Sequence, residues 1–455
     1  METWEGVRVV ILGLARQGKA LARYFAEHGA EVTVSDLKQQ DELPLDELSD
    51  LDIQFELGDH PQDLLVKADL LCLSGGIPAD LPLAQQARLL GIRVANDSQI
   101  FLENSPAPVM GITGSAGKTT TTELLGRMAH ADVSGNGRAA WVGGNIGQPL
   151  ISDLDQMKPD DLVVMELSSF QLELMTASPQ IAAVLNLTPN HLDRHRTMEA
   201  YSAAKANILN FQLETDTAVF SREDPGAWGL RNYAQGRVLG FGVRPFDGDG
   251  TYIEGGEVRL QMNGKETQLF PAEAVSLRGP HNLMNVLAAS AIAAAAGIDP
   301  EAMLAGVEGF TGVEHRLEFV RTVRGADWYN DSIATTPERT VAAIRSFGER
   351  LVLLAGGRDK DLDWEGLISL ISQRVDHLVL FGESARMIES LVQSERSERP
   401  YTLSVAVGLE DAVQAAEEVV EKGDVVLLAP GGTSFDEFVD FAVRGDRFKE
   451  LVLAL

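Results

Sequence analysis

The chain has 455 residues, of which 45% are hydrophobic and 23% are charged, a composition typical of a folded protein with more than one domain. Its formal net charge of −29 argues against nucleic acid or an anionic membrane as a partner, because both carry negative charge themselves. The single cysteine, Cys72, excludes an intrachain disulfide and a thiolate metal cluster. No apolar run reaches about 18 residues, and the N-terminus does not resemble a signal peptide. We therefore expect a cytoplasmic protein with no membrane partner.

The first block, residues 1–105, opens with a strand–turn–helix pattern. An apolar run at 7–12 is followed by Gly13, Ala15 and Gly18, and a second predicted strand ends at Asp36. This spacing resembles a dinucleotide-binding turn, although alanine replaces the middle glycine. An NAD site, another nucleotide site and a plain βαβ turn all remain open. The sequence SPAP that follows predicts a linker.

The second block, residues 106–311, contains the most informative stretch of the chain, VMGITGSAGKTTTT at 109–122. Glycines let backbone N–H groups approach phosphate oxygens, and the N-terminus of the predicted helix adds favourable partial charge. Lys118 would neutralise the outer phosphates and Thr119 would bind Mg²⁺. Ile112 stands where a strict Walker A motif has its first glycine, so a glycine-rich turn with a solvated lysine is the alternative. The residues predicted to surround a nucleoside triphosphate are Gly114, Ser115, Ala116, Gly117, Lys118, Thr119 and Thr120.

Polar residues follow two later strands of this block, predicted at 162–165 and 181–185. Glu166 would suit Mg²⁺, which prefers oxygen ligands, or would lie in the first turn of a helix. His191 would be a metal ligand, a base or a structural histidine. Lys205 lies on a predicted helix and by itself indicates only a surface lysine.

Three further motifs of the second block point to a ligand or to a turn. Asn145, in the sequence GGNIG, would hold a carbonyl or phosphate group of a substrate or lie in an ordinary turn. Asn282 would contact an adenine edge or cap the following helix, which we predict at 282–297. The pair Asn263-Gly264 predicts a β-hairpin.

The third block, residues 312–455, alternates predicted helices with buried parallel strands at 351–354, 378–381 and 425–428. Arg316 would stabilise transferred phosphoryl charge or form a surface ion pair. Asp331, Lys360 and Ser434 follow predicted strand ends, where ligands bind in sheets of this type. Individually these polar residues are weak signals.

Taken together, these segments resemble the Mur ligase family of ATP-dependent amide-forming enzymes, and in particular its D-glutamate-adding branch. The resemblance covers essentially the whole chain in order. The segments that carry it are TGSAGKTTT, GGNIG, MELSSFQLE, NLTPNHLDRH, YSAAKANIL, GPHN, HRLE, NDSIATTPE, GGRDKDLDW and SFDEFVDFAVRG.

The resemblance implies an α/β fold with three domains. A Rossmann-like N-terminal domain at 1–105 would bind the UDP part of the substrate. A central P-loop ATPase-like domain at 106–311, a parallel sheet with added β-hairpins, would bind ATP and Mg²⁺. A Rossmann-like C-terminal α/β domain at 312–455 would bind D-glutamate.

The implied activity is addition of D-glutamate to UDP-N-acetylmuramoyl-L-alanine through an acyl phosphate. That reaction belongs to peptidoglycan precursor synthesis, and therefore to cell-wall biogenesis, cell shape and cell division. The resemblance further implies two Mg²⁺ ions and a cytoplasmic protein, which we expect to be a monomer.

Residue roles also follow from the resemblance. Metal would be held by Thr119, Glu166, His191 and Lys205, the last after carbamoylation by CO₂. Catalysis would use Lys118, His191, Lys205 and Arg316. The nucleotide would meet Asn282 at adenine, Asp331 near the ribose, and Arg316. Substrate would contact Ser74 and Asn145, and D-glutamate would be held by Thr335, Lys360, Ser434 and Phe441.

Two positions depart from the family pattern: Ile333 stands where a lysine is usual, and Gly75 replaces a proline. The nearest alternative is another Mur-type or folylpolyglutamate-type ligase with a different amino acid, although the DNPR motif expected for diaminopimelate addition is missing from the sequence. An NAD-dependent oxidoreductase and a catalytically silent nucleotide-binding protein are alternatives of other classes.

Overall fold

The computed structural model describes residues 3–43, 45–189, 192–277, 279–360, 362–395 and 399–455. These residues form three β-sheets with helices packed between and around the strands. Contacts between residues divide the chain into two compact units, residues 1–310 and 311–455. No helix of the described ranges is both long enough and apolar enough to cross a membrane.

The first sheet is fully parallel, with strand order β3-β2-β1-β4-β5. Its central strands are apolar and buried on both sides, as expected when helices cover both faces. Its strands are β1 (Arg8–Leu12), β2 (Glu31–Asp36), β3 (Ile53–Leu57), β4 (Leu70–Leu73) and β5 (Arg93–Ala95), and its helices are α1 (Arg16–Glu27), α2 (Pro82–Leu89) and α3 (Asp97–Asn104).

The second sheet has nine strands in the order β14-β13-β12-β11-β10-β9-β6-β8-β7. The pairs are parallel except at one edge, where β12, β13 and β14 are antiparallel. The turn between β13 and β14 is the predicted Asn263-Gly264 hairpin, with φ of 54° and 75° at the two residues. The strands are β6 (Val109–Thr113), β7 (Ala140–Gly144), β8 (Leu162–Glu166), β9 (Ile181–Val184), β10 (Thr217–Ser221), β11 (Arg237–Phe241), β12 (Gly250–Glu254), β13 (Glu257–Met262) and β14 (Lys265–Pro271).

Helices pack against this sheet, and its strand order indicates where a ligand would bind. Strand β6 lies between β9 and β8, so the chain changes direction across the sheet at the carboxyl end of β6, where ligands bind in open α/β sheets. The helices are α4 (Lys118–Val133), α5 (Ser169–Leu172), α6 (Leu192–His195), α7 (Met198–Ala206), α8 (Pro225–Gly229), α9 (Pro280–Ala295) and α10 (Pro300–Val307).

The first two sheets share one hydrophobic core. A continuous cluster of buried side chains runs from Val9 and Phe25 to Val163 and Phe220. Ala107, in the segment predicted to be a linker, is buried as well. Both sheets therefore belong to a single compact unit.

The third sheet forms the second unit, with strand order β15-β16-β20-β17-β18-β19. Only the β15–β16 pair is antiparallel. Separate apolar clusters cover its two faces. The strands are β15 (Glu318–Val323), β16 (Ala326–Asn330), β17 (Leu351–Gly356), β18 (His377–Phe381), β19 (Thr402–Val405) and β20 (Val425–Gly431), and the helices are α11 (Pro337–Ile344), α12 (Glu365–Arg374), α13 (Ala385–Ser394), α14 (Leu409–Val419) and α15 (Phe441–Ala454).

Candidate active site

The predicted phosphate loop joins β6 to α4. Gly117 precedes the helix with φ of 82°, a left-handed conformation that favours glycine. A Cβ atom at this residue would lie 2.3 Å from Oδ1 of Asn285. Lys118 then begins α4, so the glycine–lysine pair stands at the helix N-terminus as the sequence predicts.

Asn186, which follows β9, holds the loop in shape. Its Oδ1 accepts a hydrogen bond from the N–H of Ala116 at 2.8 Å, and its Nδ2 donates to the carbonyl oxygen of Ala116 at 2.9 Å. Its own carbonyl oxygen accepts from the N–H of Ser115 at 3.0 Å. Three hydrogen bonds to two consecutive residues fix the loop before any ligand binds, which reduces the entropy lost on binding.

Two lysines converge on the carbonyl oxygen of Gly114. Nζ of Lys118 and Nζ of Lys205 each donate to it at 2.9 Å. Lys205 is only 1% exposed, so it is not the surface lysine that its local sequence indicates. Burial lowers the pKa of Lys205 well below its ordinary value, the charge of Lys118 lowers it further, and only Glu166 opposes the shift.

Glu166 is the last residue of β8, next to Ile112 of β6 in the sheet register. The alternative of a first-turn helix residue is therefore wrong, since α5 begins only at Ser169. The side chain is 2% exposed, and its Oε1 accepts from Nδ2 of Asn145 at 3.0 Å. Within the described residues its buried Oε2 has no hydrogen-bond partner.

Oε2 of Glu166, a buried carboxylate oxygen with no hydrogen-bond partner among the described residues, lies near the predicted phosphate loop. Such an oxygen suits a hard cation such as Mg²⁺. Thr119 is half-buried in the first turn of α4. No group of three or more His, Cys, Asp or Glu side chains suited to a metal occurs in the described part of the chain. His191 lies outside the described residues, so the predicted metal set rests here on Glu166, Thr119 and Lys205.

Asn282 lies inside α9, whose N-cap is Gly279, so the alternative that Asn282 caps this helix is wrong. Its Oδ1 accepts from Nδ2 of Asn285 at 3.2 Å. Because Asn285 also lies against the Cβ position of Gly117, Asn282 is close to the phosphate loop.

Two groups of contacts at this site escaped the sequence analysis. The hydroxyl of Tyr201 donates to Oγ of Ser115 at 3.0 Å, and Nζ of Lys205 lies 4.9 Å from the centre of the Tyr201 ring. Nε2 of His195 lies 2.9 Å from Oγ of Ser169, and its Nδ1 lies 2.9 Å from Oε1 of Glu173. These contacts join segments that are far apart in sequence. The one sequence feature that pointed to them is that polar residues follow several predicted strands.

At the carboxyl edge of the first sheet, Asp36 closes the βαβ turn. Its Oδ2 accepts from the N–H of Leu14 at 2.7 Å and its Oδ1 from the N–H of Lys38 at 2.9 Å. Ser74, at the end of β4, is buried, and its Oγ has no hydrogen-bond partner within the described residues. These two hydrogen bonds give Asp36 a structural role in the turn, so a bound dinucleotide is not required to explain an acidic residue at this position.

In the second unit, three of the four residues predicted to hold D-glutamate follow three neighbouring strands. Thr335 follows β16, Ser434 follows β20 and Lys360 follows β17, and these strands are adjacent in the sheet. Ser434 is buried, Thr335 is half-buried and Lys360 is exposed. Phe441 begins α15, and its ring packs edge-on against His315 at 6.2 Å.

Asp331 and Arg316 lie near each other in the same unit. Burial raises the pKa of Asp331 to about 6, and the positive charge of Arg316 opposes this shift. Oδ1 of Asp331 accepts from the N–H of Leu317 at 3.0 Å. Nε of Arg316 is buried with no hydrogen-bond partner among the described residues.

Models of known protein families match three parts of the chain. Residues 7–96 match "Mur ligase MurD-like, N-terminal domain", residues 112–293 match "Mur ligase middle domain", and residues 315–432 match "Mur ligase, glutamate ligase domain". Together they cover all three sheets.

Curated relatives match over nearly the full length. The UDP-N-acetylmuramoylalanine--D-glutamate ligase of Acetivibrio thermocellus is 37% identical over 451 residues, covering 98% of this chain and 96% of the relative. The ligases of the same name from Koribacter versatilis and Symbiobacterium thermophilum are each 39% identical over 452 residues, covering 98% of this chain and 97% and 98% of the relatives.

Solved structures share the fold at lower identity. The UDP-N-acetylmuramate-alanine ligase of Thermotoga maritima superposes with a TM-score of 0.56 at 20% identity, over 98% of this chain and 99% of the other. A pseudomurein peptide ligase from Methanothermus fervidus gives a TM-score of 0.55 at 19% identity, over 99% and 100%. With near-complete relatives well above 30% identity and three matching domain models, the chain belongs to the Mur ligase family.

Proposed function

We propose that this protein is an ATP- and Mg²⁺-dependent ligase that joins D-glutamate to UDP-N-acetylmuramoyl-L-alanine in the cytoplasm, as a monomer. Residues 1–105 bind the UDP part of the substrate, 106–311 bind ATP, and 312–455 bind D-glutamate. The proposal rests on the relatives' shared name and on one observation: a phosphate loop, two lysines and a bare buried carboxylate oxygen converge at the ends of β6 and β8.

The reaction has two balanced stages. A carboxylate oxygen of the alanyl group bonds to the γ-phosphorus of ATP as the bond from that phosphorus to ADP breaks. The amine nitrogen of D-glutamate then bonds to the acyl carbon, loses a proton and displaces inorganic phosphate. The product is an amide.

Both stages bring anionic groups together, so local positive charge must offset their repulsion. Lys118, at the helix N-terminus, provides part of that charge, and Arg316 provides another part. Mg²⁺ would be held by Thr119, Glu166, His191 and a carbamate on Lys205, and it would supply the remaining positive charge at the phosphates. The carbamate forms when the neutral amine of Lys205 bonds to CO₂ and releases a proton.

The remaining residues position the reactants. Asn282 and Asp331 contact the adenine and ribose regions of ATP. Ser74 and Asn145 bind the UDP-linked substrate. Thr335, Lys360, Ser434 and Phe441 hold D-glutamate.

The test is phosphate release from ATP with purified protein, Mg²⁺ and the UDP-linked alanyl substrate. D-Glutamate should support turnover, whereas L-glutamate, L-alanine, L-lysine and diaminopimelate should not. The Lys118→Ala variant should lose turnover with every amino acid. Turnover with a different amino acid would favour another Mur-type ligase, and turnover without any amino acid would overturn the proposal.

A further inference from the structure

A buried arginine joins the loops at one end of the third sheet. Arg444, on α15, is only 1% exposed. Its Nε donates to Oγ of Ser332 at 3.0 Å, and its Nη2 donates to the carbonyl oxygen of Ser332 at 2.9 Å. Nη1 and Nη2 each reach the carbonyl oxygen of Gly432 at 3.3 Å. The planar guanidinium thus bridges the ends of β16 and β20, as its rigid fork of donors allows.

The same side chain reaches the two other segments of the proposed D-glutamate site. A Cβ atom at Gly357, which follows β17, would lie 3.0 Å from Nη1 of Arg444. Oγ of Ser332 donates to the carbonyl oxygen of Phe441 at 2.7 Å while it accepts from Arg444. One guanidinium is therefore hydrogen-bonded to the segments after β16 and β20, is linked to Phe441 through one hydroxyl, and lies beside Gly357 in the segment that leads to Lys360.

The charge of this arginine lacks a close counter-ion. No carboxylate of the described ranges lies within ion-pairing distance of the guanidinium, and its acceptors are neutral oxygens. Burial lowers the pKa of Arg444 to about 10, and only the more distant charges of Asp436 and Glu437 oppose this shift. A buried cation without a counter-ion is costly for the fold alone, but it favours an anionic ligand nearby.

We infer that Arg444 is a positioning residue for the amino-acid substrate: it holds the loops of Thr335, Ser434, Lys360 and Phe441 in one arrangement, and it makes that end of the sheet favourable to a dicarboxylic amino acid. This inference rests on the proposed function. It concerns the second stage of the reaction, in which D-glutamate reacts.

The experiment measures KM for D-glutamate, KM for ATP, kcat and Tm in the wild type, Arg444→Lys and Arg444→Met. Arg447→Met is the matched control, because Arg447 lies on the same helix but is exposed and pairs with Glu410 and Glu450. Formation of the acyl phosphate without D-glutamate is followed by trapping with hydroxylamine, which reports the first stage by itself.

In Arg444→Met we expect KM for D-glutamate to rise about tenfold or more, because several charge-assisted hydrogen bonds are lost. In Arg444→Lys the rise should be smaller, since the charge remains but the fork is lost. KM for ATP and hydroxamate formation should stay within about twofold of the wild type, and Arg447→Met should match the wild type throughout.

The inference is wrong if KM for D-glutamate is unchanged in Arg444→Met, or if both KM values rise together with a fall in Tm, as a purely structural role predicts. If Arg444→Met does not fold, Arg444→Lys decides in the same way. Wild-type protein that forms no hydroxamate and uses no D-glutamate would instead contradict the proposed function.

Discussion

Lys205 and Lys118 donate to the same carbonyl oxygen, so two amines that are normally protonated lie close together. Burial, and then the charge of Lys118, lower the pKa of Lys205, the more buried of the two, and so favour its neutral form. A neutral amine is a nucleophile towards CO₂, whereas an ammonium is not. The geometry thus gives a physical reason for the carbamate that the family resemblance implies.

A variant with the lysine removed tests this role. Lys205→Ala should lose activity by about 100-fold or more, because an anionic ligand of the metal is lost. Added acetate or formate should restore part of it by supplying a carboxylate in the vacated space. Steady-state phosphate release checks this, with Lys158→Ala, an exposed lysine of the same unit, as the variant on which acetate has no effect. Full activity of Lys205→Ala without acetate would contradict the role.

Asp97, at the start of α3, offers a test of stability against pH. Its side chain is 3% exposed, its Oδ1 has no hydrogen-bond partner among the described residues, and burial raises its pKa from 3.8 to about 6. Between these values the folded state keeps a proton that the unfolded state releases. Stability from this group is therefore present below about pH 4 and is lost as the pH rises towards 6.

The Asp97→Asn variant cannot lose that proton. Relative to the wild type it should gain about 1–3 kcal/mol in unfolding free energy between pH 4 and pH 7. Urea unfolding at both pH values measures the change, and Asp63→Asn, at an exposed position, is the control with no such gain. A difference between Asp97→Asn and wild type that is the same at both pH values would refute the assignment.

At the scale of elements, α4 depends on glycine at its N-terminal boundary. Gly117→Ala combines a left-handed backbone with a Cβ atom placed 2.3 Å from Asn285. Gly135, just past the other end of the helix, has nearly the same φ, 81°, but open space around its Cβ position. An alanine would therefore have the same backbone strain at both positions but would be crowded only at residue 117.

Both alanine variants should lose about 1 kcal/mol from backbone strain. Only Gly117→Ala should also raise KM for ATP, by about tenfold, because Asn285 and the loop must move apart. Thermal unfolding and ATP titrations of the two variants check this. Equal KM values for ATP in both would show that the loop geometry at Gly117 does not matter for nucleotide binding.

The sequence predicts elements that depend on local signals and misses contacts that depend on tertiary packing. The strand, turn and helix around the predicted phosphate loop, the hairpin at Asn263 and the buried strands of the third sheet are confirmed, because glycine, turn and apolar patterns act over a few residues. The N-cap alternative for Asn282 is wrong because Gly279 is the N-cap of α9 and the helix begins at Pro280. Tyr201 and Arg444 carry no local signal, and their partners lie 86 and 112 residues away.

Across the whole molecule, a net charge of −29 must be reconciled with substrates that are themselves anionic. Positive groups lie near the ends of strands: Lys118 at the second sheet, and Arg316 and Arg444 at the third. Glu166 and Asp331 are buried, but many other acidic side chains are exposed, where solvent and salt screen their charge. We therefore expect local charge, rather than net charge, to determine where the reactants bind.

We propose that the amide forms through an acyl phosphate made from ATP. The most direct test of this proposal is transfer of oxygen-18 from the labelled carboxylate of the UDP-linked alanyl substrate during turnover with D-glutamate. If the acyl phosphate forms, we expect each inorganic phosphate released to carry one labelled oxygen. Amide formation that leaves the phosphate unlabelled, or that proceeds without ATP, would contradict it.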